Sequence, residues 1–376
     1  MPKFSLESII RPNILSLKPY RCARDDYATG ILLDANENSF GSVINSSAES
    51  LNRYPDPYQL DVKERFIDFR GIASVDNTFL GVGSDEIMDL LMRICCIPGK
   101  DKILVTPPTY GMYSVCAKIN DVEVVKVNLD GRFQLRTDEI SKTLSEVPNI
   151  KIVFLCSPGN PTGTALSHES IKAILEDVNL RGLVVVDEAY IDFVSEEREG
   201  SVAEWVEKYD NLVVMQTLSK SFGLAGIRLG IAIANPFIIN MLNNTKAPYN
   251  INLMTSQVAL SALQPDAIAK MRSMVSLIRA ERAKLLSSIA NIPSVANILG
   301  ANDANFILVQ IVDGNGKPSN DRAQYVYKQL AEKLGVVVRF RGHEYGCEGS
   351  LRITIGTPEQ NEALLTKLRE VLGESF

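Results

Sequence analysis

The feature that most restricts the fold is a set of short runs rich in valine, isoleucine and leucine, at 102–105, 122–127, 152–156, 183–186 and 212–215. Each run is too short for a buried helix, and helical stretches of suitable length separate several of them. Strands that are apolar on both sides must be covered on both faces, and the intervening stretches supply helices to do it. The pattern predicts an α/β fold with a mostly parallel sheet flanked by helices. One helix is expected over about 58–70 and another from Ser84, with Ser84 as its N-cap and Asp85 and Glu86 in its first turn. A long helical run over about 266–290 marks a change of pattern. Strand 306–312, helix 322–334, strands 336–340 and 351–355 and a last helix from about 358 then read as a smaller α+β lobe. The expected division is an N-terminal arm over 1–50 packing with the small domain, a large domain over 51–265 and a small C-terminal domain over 266–376.

Composition narrows the function classes. The chain has 376 residues and is 45% hydrophobic, enough for a sizeable core. Its net charge of −6 and the lack of a basic run argue against nucleic acid as a partner. No run approaches the roughly 18 apolar residues of a membrane span, and the N-terminus MPKFSLESII lacks the apolar core of a secretory leader. Six cysteines without C-x-x-C spacing, mostly within apolar segments, fit a reducing, cytoplasmic setting. Two histidines far apart, His168 and His343, leave no basis for a histidine metal site or a Ser-His-Asp triad, and no metal is expected.

The residues able to carry chemistry fall at the ends of the apolar runs, where ligands bind in such sheets. The stretch TLSKSFGLAGIRLG at 217–230 sets Lys220 between Ser219 and Ser221, with three glycines and Arg228 close behind. Alone it reads equally as an exposed loop. A lysine that forms an imine beside a bound phosphate, however, needs a fixed amine, hydroxyl donors and backbone free to approach an anion. In LVVVDEAYIDF, Asp187 closes a buried run and Tyr190 follows. A carboxylate after three valines is costly unless paired, although a strand-end aspartate also caps turns. FLCSPGNPTG places Asn160, and TPPTYGMY places Tyr110, each just past another run; each alone reads as a turn. The partial dinucleotide pattern Gly81-Val-Gly83 fails at its third glycine, where Glu86 stands.

Taken together, Asn160, Asp187, Tyr190, Lys220 and Arg228 stand in the order and approximate spacing of the fold-type I pyridoxal-phosphate enzymes. Over nearly its whole length the chain resembles the aminotransferases of that group. The resemblance implies pyridoxal 5'-phosphate as cofactor, with Lys220, Asp187 and Tyr190 as the catalytic residues. Lys220 is then the Schiff-base lysine and Asp187 faces the pyridine nitrogen. Asn160 and Tyr190 serve the phenolic oxygen, and Tyr110 covers the ring. The phosphate is expected at the backbone of Ser84, Asp85 and Glu86 and at the side chains of Ser219 and Arg228, assisted by Thr217. The carboxylates of Asp85 and Glu86 are expected to point away.

The stretches RPNILSLKPYRCARDD, LLDANEN, RYPDP and GSLRITIGT narrow the resemblance to the histidinol-phosphate aminotransferases of histidine biosynthesis. These interconvert histidinol phosphate and imidazole-acetol phosphate with the glutamate/2-oxoglutarate pair. The likeness implies Tyr20, Asn36, Arg339 and Arg352 at the substrate, whereas Arg341 and His343 read as loop residues. It also implies that Tyr54 reaches the cofactor phosphate of a neighbouring subunit, in a homodimer with shared active sites. A decarboxylase of a phosphorylated amino acid and an aromatic or broad amino-acid aminotransferase remain open as alternatives.

Overall fold

In the computed structural model the described residues are 5–27, 29–44 and 51–373. Seven strands form the large sheet: β1 (Thr78–Val82), β2 (Lys102–Val105), β3 (Glu123–Lys126), β4 (Ile150–Cys156), β5 (Leu183–Asp187), β6 (Leu212–Thr217) and β7 (Leu229–Ala234). Their spatial order is β1-β7-β6-β5-β4-β2-β3. The run from β6 to β3 is parallel, and β7 lies antiparallel to both β6 and β1. Around the sheet lie α1 (Pro12–Leu15), α2 (Leu60–Arg70), α3 (Gly83–Cys95), α4 (Met112–Ile119), α5 (Thr137–Glu146), α6 (His168–Leu175), α7 (Pro236–Thr245) and α8 (Leu253–Ala262). The long α9 (Pro265–Ile289) leads to a second, antiparallel sheet of order β10-β11-β9-β8. Its strands are β8 (Val295–Leu299), β9 (Phe306–Ile311), β10 (Arg339–Phe340) and β11 (Ser350–Thr354), covered by α10 (Asn320–Lys328) and α11 (Pro358–Gly373).

The apolar strand runs do what two-faced burial requires. Alternate residues of one strand enter two separate cores: Val153 and Leu155 join one, Ile152 and Phe154 the other. The same split holds for Val184 and Val186 against Leu183 and Val185, and for Val214 against Val213 and Met215. All of these side chains are essentially without solvent exposure. A fully buried side chain of this size contributes about 1.5–3 kcal/mol, so the sheet is held by its valines and isoleucines from both sides. A third core closes the small sheet against α9, α10 and α11. A fourth cluster, Tyr190 and Phe193 with Met271, Val275, Ala304 and Phe306, joins the two lobes.

Three expectations are corrected. The first stretch of the arm packs on the large lobe rather than the small domain. Ile9, Ile10 and Ile14 bury into the core shared by α3 and α7, and Arg11 binds the carbonyls of Arg93 (2.9 Å) and Ile94 (2.8 Å) at the end of α3. Ser84 is not the cap of α3: the helix begins at Gly83, and Glu86 Oε2 accepts from the Val82 amide at 2.6 Å instead. The strand expected at 336–340 shrinks to two residues, because the Val336 amide bonds back to Leu330 O (2.8 Å) at the preceding helix.

One contact of the large sheet sets up the site. Gly230 of β7 lies opposite Gly81 of β1, and a Cβ built on it would collide with the Gly83 and Ser84 backbone. Only glycine lets the first turn of α3 rest this closely on the sheet. Gly230→Ala is therefore expected to lower stability by about 1–3 kcal/mol through overpacking, read as the denaturant unfolding midpoint. Gly226→Ala, where a Cβ meets open space, is expected to change it by less than about 0.5 kcal/mol.

Candidate active site

Four chain turns meet beyond the carboxyl ends of the parallel strands and enclose a cavity of about 260 Å³. Asn160 follows β4, Asp187 ends β5, Lys220 follows β6, and Tyr110 follows β2. Ser84 and Asp85 enter from the first turn of α3, Thr217 and Ser219 from the end of β6, and Arg228 from the residue before β7. Arg352 of β11 and Arg341 close the cavity from the small lobe. The carboxyl-end rule for parallel sheets thus gathers residues scattered over some 270 positions of sequence.

The floor of the cavity is anionic and dry. Asp187 is 3% exposed, and its carboxylate accepts the Tyr113 hydroxyl at 2.7 Å and the Ala189 amide at 3.2 Å. Burial raises its pKa, opposed by the Tyr113 hydrogen bond and the Ala189 amide. Both hydrogen-bond donors are neutral, so a cation in front of this carboxylate would favour its ionised form. Lys220 stands at the mouth, its Nζ 5.6 Å from the Tyr190 ring centre. It has accessible surface on the cavity side, yet the protein packed behind it lowers its pKa, and the neighbouring Arg352 lowers it further. Tyr190 is nearly buried, edge-on to Phe306 at 5.1 Å. Burial raises its pKa, and burial together with Asp85 pushes Tyr110 up to about 12. Both phenols therefore remain hydrogen-bond donors at neutral pH.

One end of the cavity is built for an anion. Val82 precedes α3 without a side-chain cap, so the amides of Ser84 and Asp85 are free to donate. Ser219 lies 2.8 Å from the Thr217 hydroxyl, which itself donates to Leu229 O at 2.9 Å. Arg228 adopts a left-handed backbone, φ 54°, and lays its guanidinium where a side chain on Gly83 would stand. Holding a non-glycine residue there costs on the order of 1–3 kcal/mol, a strain characteristic of functional sites. In this geometry Arg228 Nη2 lies 3.2 Å from Asp85 Oδ2.

The structure departs from expectation at several residues. The Asp85 carboxylate turns into the cavity, toward the Arg228 guanidinium that attracts it and the Tyr110 hydroxyl (3.4 Å). Glu86 turns away as expected but does not line the cavity; it also accepts from Asn250 at 2.9 Å. Arg341, read as a loop charge, lines the cavity and is mostly buried beside Glu344 at 3.2 Å. Arg339 pairs across the strands with Arg352 but is exposed and outside it. Tyr20 and Asn36 also lie outside the cavity, and Tyr54, expected at a neighbouring subunit's site, does not line the cavity of its own chain. Tyr20 is 70% exposed, Asn36 sits in the exposed arm, and Tyr54 stacks on Tyr249 at 4.6 Å. Asn160 joins the lobes, its Oδ1 accepting from Arg352 Nη1 at 2.5 Å.

Sequence reading missed Tyr113 and Cys156. The signal for Tyr113 was its place in the first turn of α4, directly after the strand-end turn that carries Tyr110. Tyr113→Phe keeps the ring stacked on Phe154 (4.7 Å) and removes only the hydroxyl. Without that donor the Asp187 pKa rises further, so the acid limb of kcat/KM is expected to move to higher pH. The fall in kcat/KM is expected on the acid side of the profile, measured as the pH dependence of kcat/KM.

Comparison with known proteins agrees with this geometry. The chain matches the family model for aminotransferase class I and II over residues 28–368. It is similar to the histidinol-phosphate aminotransferases of Schizosaccharomyces pombe (53% identical, covering 99% of both chains) and Saccharomyces cerevisiae (48% identical, 98% of both). Among solved structures it resembles the histidinol-phosphate aminotransferase from Sinorhizobium meliloti in complex with pyridoxal-5'-phosphate (TM-score 0.75, 20% identity, 90% of this chain and 89% of that one). An L-threonine-O-3-phosphate decarboxylase from Porphyromonas gingivalis shares the fold (TM-score 0.69, 18% identity, 86% of this chain and 91% of that one). With the lysine, the buried aspartate and the anion cradle in one cavity, and with full-length relatives at this identity, the chain belongs to the class I and II aminotransferases, in the histidinol-phosphate aminotransferase family.

Proposed function

We propose that this protein transfers an amino group between L-histidinol phosphate and 2-oxoglutarate, giving imidazole-acetol phosphate and glutamate, with pyridoxal 5'-phosphate as cofactor. The observation that carries the reading is Lys220, its pKa lowered by burial, facing the desolvated carboxylate of Asp187 across a cavity with an uncapped helix start at one end. The residues present fit the cofactor. The Ser84 and Asp85 amides, Ser219 and Arg228 would hold its phosphate, Thr217 supports Ser219, and Asp187 would hold a proton on its ring nitrogen. Asn160 and Tyr190 would face its phenolic oxygen, and Tyr110 its ring. When bound, the cofactor supplies an electron sink for the pair released at the substrate Cα.

The chain's own groups do the rest. A lysine amine with a lowered pKa is more often neutral near pH 7, so Lys220 Nζ can take the Cα proton and return it as a general base and then acid. Arg352, mostly buried between Asn160 and the Phe306 ring (5.2 Å), would hold the substrate's anionic group. Tyr20, Asn36 and Arg339 are proposed as further substrate contacts.

We further propose a homodimer in the cytoplasm, with Tyr54 and Tyr20 completing the partner's site. Support comes from the exposed apolar side chains of the arm, among them Ile31 (91% exposed), Leu33 (76%) and Phe40 (102%), a surface that a second copy would cover. The residue ranges 51–265 and 266–376 remain our proposed division between large and small domains. Among the described residues no helix is long and apolar enough to cross a membrane, and no cluster of metal-ligating side chains forms.

The test is the visible absorption of the purified, cofactor-loaded protein. Histidinol phosphate is expected to bleach it, and 2-oxoglutarate to restore it. Carbon dioxide release from a phosphorylated amino acid, with no bleaching by histidinol phosphate, would instead indicate a decarboxylase, and bleaching by other amino acids alone would refute the substrate. Lys220→Ala is expected to lower amino transfer by about 10²–10⁴-fold or more, measured as glutamate formed. Arg352→Ala is expected to raise KM for histidinol phosphate at least tenfold, from loss of a charge-assisted hydrogen-bond pair worth about 1.5–3 kcal/mol.

A further inference from the structure

The turn that carries Lys220 is anchored from outside the cavity. Asp192 lies two residues past Tyr190, and its carboxylate is shared by two separate elements. Arg70, the last residue of α2, donates Nη1 to Oδ1 at 2.7 Å and Nη2 to Oδ2 at 3.1 Å. Ser221, the residue after Lys220, donates its hydroxyl to Asp192 Oδ2. A second contact runs in parallel: Phe222 meets Phe69 of α2 edge-on at 5.5 Å, and the Arg70 guanidinium covers the Phe69 ring at 4.3 Å. Both residues after Lys220 are therefore fastened to the last turn of α2. From the other side, Arg279 of α9 donates to the carbonyls of Asp192 (3.1 Å), Phe193 (3.3 Å) and Val194. One short segment thus ties together Tyr190, the Lys220 turn, α2 and the helix that leads into the small lobe.

The energetics point to geometry rather than bulk stability. The Arg70 and Asp192 side chains are each 15% exposed, and Ser221 is 3% exposed. A buried ion pair gives back in attraction roughly what it loses in desolvation, so apolar side chains of the same volume would stabilise the fold about as well. What they could not supply is direction: a two-pronged guanidinium–carboxylate contact fixes both distance and angle. The Lys220 turn needs that. Its own backbone contributes few bonds, Gly223 N to Lys220 O (3.1 Å) and Leu224 N to Leu218 O (3.1 Å), before the chain passes through Gly223 with φ 67°.

We propose that Asp192 is a positioning residue for Lys220: with Arg70 and Ser221 it fixes the turn that carries the amine and couples it to α2 and α9. Asp192 does not line the cavity and touches no reacting atom. It acts by setting how far Lys220 Nζ stands from the charged groups that tune it, Arg352 and Arg228 on one side and Asp187 and Asp85 on the other. The inference rests on Lys220 being the cofactor lysine.

The test uses the full-length, cofactor-loaded protein without substrate, following visible absorbance against pH, together with the thermal midpoint and the separate kcat and KM values. Asp192→Asn keeps the shape and removes the charge. It is expected to shift the apparent pKa of the visible transition by about 0.5 unit or more and to lower kcat about tenfold, with KM for the amine donor little changed. Ser221→Ala is expected to shift both in the same direction by less. The double variant is expected to match Asp192→Asn alone, because the two residues act through one contact. Variants that lower the thermal midpoint while leaving the absorbance pKa and kcat at wild-type values would overturn the proposal. If Asp192→Asn does not fold, Ser221→Ala decides alone: wild-type spectrum and kcat overturn it, a shift in both supports it. A wild-type protein with no visible band would overturn the reading of Lys220 itself, and this inference with it.

Discussion

The structure depends on a parallel sheet that is dry on both faces. The apolar residues of β4, β5 and β6 face one of two cores, and the polar residues of these strands, Lys151, Asp187, Gln216 and Thr217, stand at or next to the strand ends. Polar chemistry is displaced to the strand ends, and it collects at the carboxyl ends because the connections to the crossover helices leave the sheet there. Asp187 illustrates the limit. It is the last residue of β5 and already buried, and it is tolerated because Tyr113 and the Ala189 amide satisfy its oxygens. Its unneutralised charge is then available to a bound cation.

The second requirement is that two lobes close on this edge. Asn160 on the large lobe and Arg352 on the small one meet at 2.5 Å. Near them Arg282 of α9 binds Ala304 O at 2.7 Å, and Arg198 lies 3.4 Å from Asp303. Tyr190 packs on Phe306 across the same junction. The cavity is therefore formed at a joint, with the lysine and aspartate on one side and Arg341 and Arg352 on the other. A residue such as Asp192, which links the lysine turn to the first helix of the small lobe, sits where a displacement of either lobe would be felt at the amine.

Much of this was legible beforehand, for specific reasons. A strand apolar on both sides has one solution in a protein this size, so the alternation of runs announced the sheet. Lys220, Asp187, Asn160, Tyr110 and Arg228 drew attention because they stand at the ends of apolar runs, and the roles expected of them came from the resemblance to the fold-type I enzymes. Tyr113 was passed over because a helical tyrosine beside an apolar run looks like packing until its hydroxyl is seen to meet a carboxylate. Arg341 rather than Arg339 lines the cavity of its own chain because two arginines two residues apart at a strand end differ only in which way the chain turns. The Arg341 amide bonds to Ser350 O at 2.8 Å, and that turn brings its side chain to the cavity.

The sequence by itself determined the fold class and the order of elements, because these follow from local periodicity and turn chemistry, and its motifs marked by resemblance the groups expected to carry the chemistry. Only the tertiary structure decided their mutual placement. That the Asp85 carboxylate turns inward, that the arm begins on α3, and that Asp192 reaches Ser221 from another loop all depend on contacts between residues far apart in the chain. Such contacts are settled by packing and by charge meeting charge, and no local pattern encodes them.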